Sequence, residues 1–202
     1  MPPSLAHHFA TMAHNNAWAN HRLLNACAEL SPEDFALTRT SFFPSIKATL
    51  NHSLTVDWFY VDALERCYSD REPHPHPATF FTPEEPFATC APLADAQRAV
   101  DRRLVALCTR LTAPDLERTV AITRRSGIAR DEVPRLFAHL FQHQIHHRGQ
   151  VHAMLAGTHV APPQLDEFFC AGEAHLRDAE LAELGTSETL VFGTSSPDTL
   201  PR

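Results

Sequence analysis

The chain has 202 residues, 44% of them hydrophobic, and a formal net charge of −7 with histidine neutral. That is enough for one packed domain, or one domain plus a tail, with a real core. The acidic balance, with a pI of about 6.0, argues against a protein that grips a nucleic-acid backbone, and no apolar run approaches the roughly 18 residues of a membrane span.

The first strong segment, residues 4–29, carries Phe9, Met12, Ala13, Trp18, Leu23, Leu24 and Cys27 at mostly helical spacing. Ser31-Pro32-Glu33-Asp34 has a capping serine and a proline at the first helical position, and so reads as a helix-start turn. Residues 44–69 form a second helix, with Ile46, Leu50, Leu54, Trp58 and Val61 on one face and His52 and Asp57 inside it. Five prolines between 73 and 86 then exclude helix and central strand alike. A loop of about twenty residues within a compact domain is often functional. His74 and His76 within it read as exposed loop residues.

A third helix is expected over 92–112, with Leu93, Val100, Leu104, Leu107 and Leu111 inward. Alternation around Val120 and Ile122 predicts one strand or a short hairpin within 114–130. The fourth helix runs over about 132–156, with Pro134 near its start and Gly157 as an expected left-handed stop. A terminal helix is predicted over 164–184, and the Ser/Thr/Gly/Pro-rich residues 185–202 read as a disordered tail. Four long helices with one proline-rich crossover make the expected fold all-α, a four-helix bundle, the architecture whose core commonly holds metals. Five scattered cysteines without a C-x-x-C pair read as reduced structural thiols. No basic stretch followed by an apolar core opens the chain, so a cytoplasmic location without a signal peptide is expected.

Residues 139–152, H-L-F-Q-H-Q-I-H-H-R-G-Q-V-H, hold the densest chemistry. His139, His143 and His147 recur every four residues and so stack on one helical face, where two imidazoles one turn apart can grip one transition metal. His139 and His147 lie about 12 Å apart along the axis, too far to meet on one ion with bonds of about 2.1 Å. One adjacent pair, 139/143 or 143/147, must therefore act with a third ligand from another element, and spacing does not choose between them.

Three stretches together resemble the DinB family: N-N-A-W-A-N-H-R-L-L at 15–24, F-F-P-S-I-K-A-T-L-N-H-S-L-T-V-D-W at 42–58, and the histidine-rich run at 139–152. The resemblance covers about residues 5–170 and implies a bundle of up-down-down-up type over 1–170, with 171–202 as helix end and tail. It implies a metal held by His52, His143 and His147, with His139 and His146 as neighbours. His139 and Gln142 become candidates for supporting the ligands from behind. Gln142 departs from the asparagine that the family often has there, which moves the amide by one methylene. His52 alone would read as structural; the resemblance implies that it is a ligand. Asp57, five residues on and about 140° around the helix, suits a polar contact or an arginine partner better than the metal. A homodimer is also implied, with Trp18 available to a helical interface.

Three imidazoles around a divalent ion leave a position for water or substrate. Zinc or nickel comes first and iron or copper second, since imidazole suits all four. The resemblance implies a metal-dependent transferase, isomerase or hydrolase that acts on a small molecule and activates water or a low-molecular-weight thiol. H-Q-x-x-H lacks the glutamate of H-E-x-x-H proteases, which argues against peptide hydrolysis. The alternatives are a non-catalytic metal-binding stress or sensor protein, and a bundle whose histidines are merely hydrogen-bonded. No general base is assigned, and no nucleic-acid or membrane partner is expected.

Overall fold

A computed structural model describes residues 4–193. The chain divides between Pro163 and Gln164 into two compact units. The first contains four long helices: α1 (Leu5–Cys27), α3 (Ile46–Tyr68), α4 (Cys90–Thr109) and α5 (Val133–Leu155), with a short α2 (Pro32–Ala36) between the first two. Small polar side chains set the starts of α1, α2 and α3. The Ser4, Ser31 and Ser45 side chains accept from the amides of His7, Asp34 and Ala48, each satisfying a donor that the first turn leaves free. The second long helix thus begins after Pro44 rather than on it. Gly157 lies beyond α5 as expected but is not in the left-handed region, whose described glycines are Gly127, Gly185 and Gly193.

Cross-helix contacts fix the topology. Phe9 meets Phe137 at 4.9 Å and Asn20 accepts from Arg148 at 2.9 Å, so α1 and α5 run parallel. Tyr60 meets His139 and His52 meets His143, so α3 and α5 run antiparallel. Gln97 donates to Asp57 at 2.7 Å and Arg103 to Glu65 at 2.7 Å, so α3 and α4 are parallel neighbours. The order is up-down-down-up, as the resemblance implies. Two consecutive parallel helices force the chain back along the bundle, about 34 Å for the 23 residues of α3. The proline-rich segment is that return. It is strapped to α3 rather than loose: buried Asn51 exchanges two hydrogen bonds of 2.9 Å with the Phe87 backbone, and Phe81 packs 5.4 Å from Phe59.

Between α4 and α5 the expected hairpin is present as β1 (Thr119–Arg124) and β2 (Gly127–Glu132), antiparallel with Arg124 opposite Gly127. Val120 and Ile122 are buried, as the alternation predicts. Trp18 is fully buried inside the protomer, so it is a core residue and supplies no interface between copies.

The second unit corrects the reading of 164–184 as one helix. It consists of 3₁₀ turns at Glu167–Phe169 and Ala174–Arg177, then α6 (Asp178–Glu183) and α7 (Glu188–Phe192). Gly172, which disfavours helix by about 1 kcal/mol relative to alanine, sits in the break. Apolar residues at helical spacing can equally face a small centre across turns. Here Arg177 is buried, pairs with Glu188 at 2.6 Å and lies over the Phe169 and Phe192 rings. The expected disordered tail is helical at 188–192, and residues 194–202 lie outside the described part.

Candidate metal centre

His52 on α3 and His143 and His147 on α5 converge in the groove between the two helices. Each offers one nitrogen, and the three lie within 4.8 Å of one another. His52 Nε2 is 3.1 Å from His143 Nε2, and the His143 and His147 rings are 4.3 Å apart. Two ligand nitrogens at about 2.05 Å from a tetrahedral ion stand about 3.3 Å apart, so the His52–His143 spacing fits a shared ion. Burial pushes the His52 imidazole down to about 4 and His143 to about 3, helped by the other histidines, and burial lowers His147 as well. Neutral rings, each with a nitrogen lone pair to offer, are the form that binds a cation. Among the described residues no cysteine or carboxylate joins the group.

The surroundings orient the rings. Gln150 Oε1 accepts from His147 Nδ1 at 2.8 Å, and Gln150 Nε2 meets His146 Nε2 at 3.1 Å. This leaves His147 Nε2 for the cluster. The Phe43 ring stacks 4.3 Å from His52 and 5.5 Å from His147, closing the groove on the side of the α2–α3 loop. His139 is exposed and stands outside the group, its ring 6.0 Å from His143 and edge-on to Tyr60 at 5.0 Å. Gln142 is exposed and has no hydrogen-bond partner among the described residues. His74 and His76 belong to the strap, with His74 against Phe80 at 5.0 Å, and are not members of the cluster.

Toward the bundle centre, the residues following the two α5 histidines enter a buried polar network. Gln144 and Gln97 both donate to Asp57; Gln97 and Asn20 donate to Asp101 at 3.1 and 3.0 Å; Arg148 donates to Asn16 and Asn20. Asp57 thus makes a polar contact, through glutamines. Burial raises Asp57 to about 6 and Asp101 to about 7, the latter also by the Asp57 charge, and lowers Arg148 to about 10. The Arg148 charge acts on both carboxylates through space while its hydrogen bonds go to the amides, and the network ties the four helices together beneath the histidines.

A family model described as the DinB family matches residues 1–177. The chain belongs to the DinB family. No curated protein matches it significantly. In this DinB protein the three stretches of resemblance supply the third ligand candidate on α3, the two on α5, and Asn16 and Asn20 of the central network. Sequence reasoning missed Gln150 and Phe43. Gln150 stands three residues after His147, a spacing that faces it on a helix, and that signal was available.

Proposed function

We propose that this DinB protein is a metal-dependent enzyme of thiol-transferase, isomerase or hydrolase type, with His52, His143 and His147 as the ligands of one divalent ion, zinc or nickel ahead of iron or copper. The observation that carries the reading is the convergence of three neutral imidazoles from two helices without a fourth protein ligand among the described residues. A divalent ion there supplies Lewis acidity that makes a water or a small thiol nucleophilic near neutral pH. The protein holds the imidazoles neutral by burial, fixes the His147 tautomer through Gln150, and narrows access with Phe43. His139 lines the groove beside the ligands. The small-molecule substrate, the cytoplasmic setting and a homodimeric assembly are part of the same proposal.

Elemental analysis of protein purified without an affinity tag, followed by thiol-dependent turnover of small electrophiles, tests it. About one divalent ion per chain and turnover that requires both ion and thiol or water are expected. Stoichiometric metal without turnover would leave a metal-binding protein and remove the enzyme. Absence of metal affinity would remove both.

A further inference from the structure

We infer that the groove beyond the histidines is the seat of an elongated monoanionic substrate, whose carboxylate is held by Arg124 and Tyr60 while its other end reaches the triad. The inference rests on the proposed metal centre. Phe43 stands against His52 and His147 at one end of the cluster. At the other end a run of neighbouring side chains leads from His143 to His139, from His139 to Tyr60, and from Tyr60 to Arg124, whose Nη2 donates to the Tyr60 hydroxyl at 3.1 Å. Tyr60 stands two turns beyond His52, about 12 Å along α3.

Arg124 is brought there by the hairpin, not by α3 or α5. Its guanidinium lies 5.0 Å over the Phe59 ring and 5.7 Å from that of Tyr60, which holds it beside the Tyr60 hydroxyl. It is exposed and has no carboxylate partner among the described residues, in a chain that carries seven more acidic than basic groups. Accepting from Arg124 leaves the Tyr60 O–H free to donate. An arginine and a phenol side by side form a fork for one carboxylate. A single guanidinium in an acidic protein matches a single negative charge better than a phosphate dianion.

The test uses the full chain loaded with cobalt(II), read through the near-ultraviolet thiolate-to-cobalt band. The probes are 8-mercaptooctanoate, 8-mercaptooctanol and 3-mercaptopropionate. The long acid should bind about 10-fold more tightly than the long alcohol, the effect of one charged hydrogen-bonded contact, while the short acid cannot span the groove and loses that advantage. Arg124→Ala should abolish the preference for acid over alcohol and leave alcohol binding unchanged; Tyr60→Phe, which keeps the ring, should reduce it. Equal affinities in the unsubstituted protein, or a preference that survives Arg124→Ala, would overturn the inference. If the chain takes up no cobalt, or no thiol perturbs its spectrum, the metal reading fails instead. The groove is then judged by calorimetric titration of the metal-free chain with the long acid and alcohol, where an Arg124-dependent preference is still expected and its absence is fatal.

Discussion

The histidines divide into candidate ligands, a neighbour and strap residues, and the predictions differ accordingly. His52→Ala, His143→Ala and His147→Ala remove a candidate ligand and should each abolish most metal binding, whereas His74→Ala and His76→Ala should leave it intact. His139→Ala should retain a bound ion with affinity lowered at most about 10–100-fold. Competitive chelator titration at one pH orders the series. If His139→Ala were as damaging as His143→Ala while His147→Ala stayed near the unsubstituted protein, the ion would sit one turn earlier on α5. Gln150→Ala frees His147 to rotate and to exchange tautomers, and should cost about 10–100-fold in affinity. Gln142→Ala, at an exposed residue without a partner, should cost nothing in the same titration.

At the scale of elements, the network beneath the site joins α1, α3, α4 and α5 through two carboxylates and one arginine. Its pH dependence has a definite sign. Burial raises the folded-state Asp101 to about 7, above its usual 3.8. The folded protein therefore holds a proton there that the unfolded chain has lost. The stability this contributes is fully present below about pH 4 and is lost as pH rises through 7. Thermal unfolding of the metal-free protein, compared with Asp101→Asn between pH 5 and pH 8, should show the unsubstituted protein losing ground as pH rises. A difference that grows with pH instead would mean that Arg148 outweighs desolvation and holds the carboxylate charged. Arg148→Leu should destabilise by about 3 kcal/mol, the usual effect of removing one partner from a buried charge set, and by more at pH 8 than at pH 5. Urea unfolding at the two pH values measures this.

For the whole molecule, the parallel pair α3 and α4 requires a full-length return, and the strap that makes it is held by Asn51. Asn51→Ala leaves the Phe87 amide and carbonyl without partners in a half-buried position and should cost about 1–3 kcal/mol, read as a lowered urea midpoint with an unchanged slope. Light scattering at micromolar concentration tests the proposed homodimer. A monomer would remove that part of the proposal without touching the metal centre, whose three histidines all come from one chain.

Much of this was legible in the chain because it depends on local rules. Apolar spacing marks the four long helices, five prolines mark the crossover, the alternation at Val120 and Ile122 marks the hairpin, and four-residue spacing puts His143 and His147 on one face. The segment 164–184 was misread because periodicity over a short apolar run does not separate a helix from turns wrapped around Arg177. Which neighbours α3 takes, and therefore which histidine completes the cluster, depends on long-range packing. From the residues alone His139 and His147 were equal partners for His143, and His52 was one histidine in mid-helix. Only the antiparallel docking of α3 on α5 brings His52 to His143 at 3.1 Å, places Tyr60 instead beside His139, and lets a hairpin residue more than sixty positions from Tyr60 in the chain reach its hydroxyl. Spacing along a helix is set by its pitch, but distances between helices are set by side chains that meet only when the bundle closes.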